Sequence, residues 1–192
     1  MPKKILQRDA VVLRKNAVEI AVPEIKSAKI QLIIKEMREA LESQDDGVAI
    51  AAPQIGYSMR MFIVSHKVAN ILKGEEMEPS HDQVDKAYKS KTSTVYINPV
   101  IKKVSKKKMS VEEGCLSVRY LYGKVSRSTK ATVEAYDENG KKFTRGATGL
   151  LAQIFQHEVD HLNGILFTDK AKNVEEIPPE NLNLKNYSDV KK

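Results

Sequence analysis

In this chain of 192 residues, the types and spacing that can do chemistry are His157-Glu158-Val159-Asp160-His161 and the single cysteine, Cys115. Helical side chains four residues apart share a face, so His157 and His161 can grip one metal ion. Glu158 stands beside them as a base for a water that the metal has acidified. The bland alternative is a helix whose histidines are only solvated or partly buried. Its neighbours argue otherwise: Leu150, Leu151, Ile154, Phe155, Val159 and Leu162 form the broad apolar stripe of a core helix. Gly149 and Gly164 bracket the stretch, and the second suits a C-terminal cap. Imidazoles on a buried helix need partners, and a metal would satisfy them.

A catalytic metal needs a third protein ligand if one position is to stay open. No histidine follows His161, and Glu175 and Glu176 fall in a polar tail. Upstream stands Glu113-Gly114-Cys115-Leu116-Ser117. A lone cysteine is by default a small buried hydrophobe. Here Gly114 is expected to free the backbone just before it, and Leu116-Ser117-Val118 reads as the strand that follows. One thiolate with two neutral imidazoles makes a soft site. It suits Fe(II), Zn(II), Co(II) or Ni(II) and disfavours Mg(II) or Ca(II).

The elements that must position these groups are partly legible. A helix is expected over 25–41, with Ile30, Ile33, Ile34, Met37 and Leu41 on one side. Asp45-Asp46-Gly47 is a turn, Met61–Val64 a buried strand, and Thr94–Pro99 a strand meeting a turn. Residues 66–92 read as a long polar loop in which His66 and His81 are solvated. Residues 130–144 read as a hairpin turning at Asp137-Glu138-Asn139-Gly140. After Lys170 the chain is polar, contains Pro178-Pro179, and is expected to be irregular. Strands followed by a ligand-bearing helix imply an α+β fold, with antiparallel strands packed around a central C-terminal helix. The expected division is a catalytic domain over 1–170 and a polar tail over 171–192.

Composition narrows the class. Hydrophobic residues make up 41% of the chain, as in a globular domain, and no run of about 18 apolar residues marks a membrane span. The opening Met1-Pro2-Lys3-Lys4 meets charge too soon for a signal peptide, and one cysteine excludes an internal disulfide. A cytoplasmic location is expected. The net charge of +7 is either a plain solvated surface or an attraction for nucleic acid, densest at Lys102, Lys103, Lys106, Lys107 and Lys108. No aromatic residue interleaves with those lysines, so base stacking and sequence-specific nucleic-acid recognition are not expected.

Taken together, the motifs resemble the peptide deformylases over most of the chain. Residues Gly47-Val48-Ala49-Ile50-Ala51-Ala52-Pro53-Gln54 are similar to that family's first motif, which ends in a catalytic glutamine. Residues 113–117 match its EGCLS motif, and 156–164 its histidine-bearing third motif. Asp9 to Arg14, followed by Ala17, is similar to its opening segment. Two departures stand out: Ala49 occupies a position usually held by glycine, and Arg119 one often held by proline.

The resemblance implies removal of the formyl group from formyl-methionine at the start of nascent peptides. It implies one divalent metal per chain, Fe(II) foremost, bound by Cys115, His157 and His161. Glu158 would be the acid–base, and the Gln54 amide and the Leu116 N–H would face the developing oxyanion. Gly47, Val48, Leu150 and Ile154 would border the substrate. Glu113, Arg127 and Asp160 would support the ligands, with Arg127 the cation partner that a buried Asp160 needs. A transient partnership with the ribosome is expected. Two rivals remain at this level: a metalloprotease or amidase acting on other peptides, and a basic ribosome-binding module that has lost activity.

Overall fold

The computed structural model describes residues 1–68 and 93–178. Most of the expected 66–92 loop, including His81, and Pro179 of the tail lie outside the described residues. In chain order the elements are α1 (Ala28–Glu42), β1 (Ala49–Ala51), β2 (Met61–Val64), β3 (Thr94–Val104), β4 (Lys108–Cys115), β5 (Val118–Ser128), β6 (Lys130–Tyr136), β7 (Lys142–Thr148), α2 (Gly149–Leu162) and β8 (Lys172–Glu176). Short 3-10 turns link several of them. All the strand pairings are antiparallel. One sheet has five strands in the order β1-β2-β3-β6-β7, and a second has three in the order β4-β5-β8. The fold is the expected α+β arrangement. Among the described residues, no helix is long and apolar enough to cross a membrane.

Helix α1 starts three residues later than its apolar pattern implies. Val22–Glu24, with Pro23, forms a 3-10 turn, and Ser27 is the N-cap, its hydroxyl accepting from the Ile30 N–H at 3.3 Å. Strand β3 runs on past Pro99, where a turn was expected. A register shift between Ile97 and Val100 and a left-handed Asn98 (φ 49°) absorb the proline, which has no N–H to give the ladder. The Asn98 side chain is tied on both sides to the Ile20 backbone, at 2.9 and 2.7 Å.

Helix α2 is buried on most of its circumference: Leu151, Ala152, Ile154, Phe155 and Leu162 are each at most 4% exposed. Phe155 fixes it against the large sheet, with its ring 5.2 Å from that of Tyr96 and 6.2 Å from that of Phe62. Gly164 ends the helix as the sequence implies. Its φ is +71°, its N–H donates to the His161 carbonyl at 3.1 Å, and the Ile165 N–H donates to that of Asp160 at 2.9 Å. A β-carbon there would also lie 2.8 Å from the Arg14 backbone.

Two further expectations fail. Leu116 and Ser117 are not strand; they form the turn between β4 and β5, across which Cys115 pairs with Val118. A hairpin therefore starts where a continuous strand was expected. Residues 172–176 are also not irregular, because they complete the small sheet by pairing with β5. The strand β8 is exposed along its whole length, so no apolar alternation announces it.

Candidate metal centre

The ligand-bearing elements meet edge to face. Strand β4 ends at Cys115, and α2 presents His157 and His161 one turn apart. The Cys115 sulfur and one nitrogen of each ring lie within 4.8 Å of one another, and Cys115 Sγ is 3.2 Å from His161 Nε2. The two imidazole planes are inclined at 78°, with centroids 4.9 Å apart. Metal bonds of roughly 2.0–2.3 Å to sulfur and imidazole nitrogen bring such a set within reach of one ion after small side-chain rotations.

The donor chemistry fits a soft divalent ion. Burial alone would push the Cys115 thiol up, but His161 and His157 together draw it down to about 5, so it is a thiolate at neutral pH. Burial pulls the His157 imidazole down, yet the Cys115 sulfur and the Glu113 carboxylate raise it well above its ordinary value. In the metal-free chain, a cationic imidazole thus balances the thiolate. A divalent metal held by these three residues would supply that positive charge in place of the proton.

Behind the ligands runs a chain of charges, buried except at its Lys170 end. His157 Nδ1 meets Glu113 Oε2 at 2.9 Å, which leaves Nε2 free for the metal. Both Glu113 oxygens accept from Arg127, at 2.7 Å from Nε and 2.9 Å from Nη2. Arg127 Nη1 reaches Asp160 Oδ2 at 2.6 Å, and Lys170 Nζ reaches Asp160 Oδ1 at 2.6 Å. Burial would push the Glu113 carboxyl up, but bonds from Arg127 and His157 hold it down at about 2.

In front lies a cleft of about 310 Å³, lined among others by Gln54, Cys115, Leu116, His157 and Glu158. Gln54 is 2% exposed. Its Oε1 accepts from the Ala51 N–H at 2.8 Å, which turns Nε2 toward Ser117 Oγ at 3.1 Å and Cys115 Sγ at 3.6 Å. Burial pushes the Glu158 carboxyl up to about 7, outweighing the downward pull of the two histidines. Its Oε2 has no hydrogen-bond partner among the described residues. A buried carboxyl that titrates near neutrality can both take and give a proton.

The structure brings almost all the expected residues together. Val48, Leu150 and Ile154 line the cleft, while Arg127 and Asp160 stand behind the ligands, where support for them was expected. Gly47 does not line it. Gly47 closes the turn after α1, where a β-carbon would meet Leu41 Cδ1 at 2.9 Å. Gly114 also has a different reason to be glycine than the backbone freedom expected of it. Its φ is not positive; instead, a β-carbon would sit 2.6 Å from Tyr122 Cε1, the residue opposite it in the hairpin. Sequence reasoning missed Lys170, Ser117 and the tie made by Arg119. Arg119 Nη1 donates to Asp46 Oδ2 at 2.7 Å and Nη2 to Gln44 Oε1 at 2.5 Å, bridging the mouth of the cleft. Of these, Ser117 had a signal in its place two residues after the cysteine, and Arg119 had one in standing where the family often has proline.

Comparison with known proteins identifies the family. A family model described as polypeptide deformylase matches residues 2–176. Peptide deformylase 2 of Clostridium acetobutylicum is 37% identical over 158 residues, spanning 82% of this chain and 87% of that protein. A peptide deformylase of Microchaete diplosiphon is 35% identical over 162 residues, spanning 84% of this chain and 75% of that one. Among solved structures, the peptide deformylase of Synechococcus elongatus in complex with actinonin superposes with a TM-score of 0.70 at 29% identity, covering 90% of this chain and 80% of that one. That of Thermotoga maritima does so with a TM-score of 0.71 at 28% identity, covering 90% and 99%. The chain belongs to the polypeptide deformylase family.

Proposed function

We propose that this hydrolase removes the formyl group from the N-terminal formyl-methionine of nascent polypeptides, with Cys115, His157 and His161 holding one divalent metal, Fe(II) in the first place. Zn(II), Ni(II) or Co(II) can substitute. The observation that carries the reading is the meeting of a thiolate, two imidazoles and an unpartnered Glu158 oxygen at the end of one cleft. When bound, the metal supplies Lewis acidity that makes a water nucleophilic near neutral pH and polarises a carbonyl. Glu158 takes the proton of the attacking water and delivers it to the amine as the carbon–nitrogen bond breaks, leaving formate and a free N-terminus. Gln54 Nε2 and the Leu116 N–H donate to the oxygen on which negative charge develops. Val48, Leu150 and Ile154 form an apolar slot for the unbranched methionine side chain. Glu113 fixes the tautomer of His157, and Arg127 with Asp160 holds Glu113 in place.

In this reading the catalytic domain spans 1–170 and a polar segment spans 171–192, within which β8 pairs with β5. The setting is cytoplasmic, with transient approach to the ribosome. The deciding experiment loads the protein anaerobically with Fe(II) and follows formate release from formyl-Met-Ala-Ser beside unformylated Met-Ala-Ser. Formate from the first and no cleavage of the second is expected. Hydrolysis of the unformylated peptide, or no formate at all, would overturn the proposal.

A further inference from the structure

The β3–β4 connection concentrates positive charge on a rigid support. Lys102 and Lys103 lie near the end of β3, Lys106 and Lys107 lie in the connection, Lys108 begins β4, and Lys130 begins β6 beside them, all six exposed. The turn is held by several bonds. The Ser105 N–H donates to the Lys130 carbonyl at 3.0 Å, the Thr129 N–H donates to the Lys107 carbonyl at 3.1 Å, and the Ser105 hydroxyl bonds the Lys107 carbonyl at 2.8 Å. Thr129 Oγ1 and Ser105 Oγ lie 3.0 Å apart. Among the described residues, the ion pairs in this region are those of Lys102 and Lys142 with Glu134, at 3.9 and 3.0 Å. No carboxylate of the described residues pairs with the other five lysines of the ridge. These bonds order the backbone that carries the lysines, so their like charges stay gathered on one part of the surface. A line of negative charge would relieve the repulsion.

The ridge also has a defined place. Met109 follows Lys108 and Thr129 precedes Lys130, and both line the cleft that holds the metal ligands. Met109 is 46% exposed, so the ridge and the mouth of the cleft form one continuous surface.

We infer that this ridge docks the protein on the phosphate backbone of RNA, with the mouth of the cleft held beside it. A phosphate backbone offers this cluster of lysines a denser and more continuous line of negative charge than the sporadic carboxylates of an acidic peptide do. Each engaged phosphate also releases condensed counterions. With no aromatic side chain on the ridge, docking reads charge and not base identity. Binding itself does not depend on the deformylase reading; only its use, bringing the cleft near newly made peptide ends, rests on it.

The test measures binding of the full-length protein to short duplex RNAs of two unrelated sequences across a salt series, by fluorescence anisotropy. The variant is K106E/K107E/K108E. A control, K26E/K29E/K35E, makes the same charge change on exposed lysines at and before α1. Thermal melts report that both are folded. Wild type should bind both sequences equally. The ridge variant should lose at least roughly 10-fold in affinity and flatten the salt slope by about one unit per lysine, while the control changes little. Equal losses in both variants would mean diffuse net charge only and would overturn the inference. So would binding displaced by polyglutamate as readily as by RNA, which would mark the surface as one for acidic protein, and so would a strong preference for one RNA sequence.

Discussion

Glu158 is 4% exposed and lies between the ligands it neighbours in sequence, which separates its job from theirs. Glu158→Gln keeps the shape of the side chain and removes the proton acceptor. Metal content should stay near that of wild type while kcat falls by about 10²–10⁴-fold. Normal turnover per bound metal would show that Glu158 is no base. Glu113 makes a second prediction at this scale. Its carboxyl is held at about 2, against an ordinary value of 4.5, so its ion pairs stabilise the fold fully above about pH 4.5. That contribution fades as pH falls from 4.5 through about 2. In chelated protein, Glu113→Gln should therefore cost about 3 kcal/mol at neutral pH, since His157 loses its carboxylate partner and the buried Arg127 keeps only that of Asp160. The gap to wild type should narrow as the pH is lowered through that window. A gap in denaturant-measured stability that is constant from pH 7 to about 2 would remove Glu113 from the ionic network.

The β4–β5 hairpin is the element that delivers the cysteine, and its geometry depends on a close contact. Gly114 faces Tyr122 across the ladder, with no room for a methyl group. Gly114→Ala must either swing the Tyr122 ring or push β4 outward, and the next residue along β4 is Cys115. The expected result is about 1–3 kcal/mol of destabilisation together with weakened metal binding, measured by denaturation and metal analysis. Removing the ring in Gly114→Ala/Tyr122→Ala should restore much of the metal affinity. If the double variant binds metal no better than the single, the contact does not set the position of Cys115. Phe155 acts in the same way on α2, because its edge-on contact with Tyr96 and its tilted contact with Phe62 fix the helix that aims both histidines.

At the scale of the molecule, the ligand set joins two sheets. Cys115 belongs to the three-stranded sheet, whereas α2 packs on the five-stranded one. Arg119 adds a second tie, from β5 to the connection between α1 and β1. A bound metal should therefore stabilise the whole fold. At a free metal concentration a hundredfold above Kd the gain is about 2.7 kcal/mol, and each kcal/mol shifts the melting midpoint by about 2–4 °C in a chain of this size. Chelation should lower the midpoint correspondingly. Cys115→Ser should melt at one temperature with or without added metal. A midpoint in wild type that ignores chelation would place the metal outside the folded frame.

How much was legible in the sequence follows from the range of each interaction. The spacing of His157, Glu158 and His161, the apolar stripe of α2, its glycine cap and the hairpin at Asp137 are all local, so residue order alone determined them. The need for a third ligand pointed to Cys115 and the resemblance supplied Gln54 and Arg127, but no local rule places Cys115 against His161, 46 residues further along the chain. That contact is decided by how β4 returns along β5 and how α2 crosses the large sheet. The same holds for Lys170 on Asp160, for Tyr122 filling the space above Gly114 and for Arg119 spanning to Asp46. Strand β8 was hidden for a different reason. It is held by backbone hydrogen bonds to the edge of β5 with every side chain exposed, and backbone pairing leaves no mark on residue type. The sequence by itself therefore determined which chemistry the chain can perform. The tertiary structure decided which groups stand close enough to perform it, because only packing brings distant segments within bonding distance.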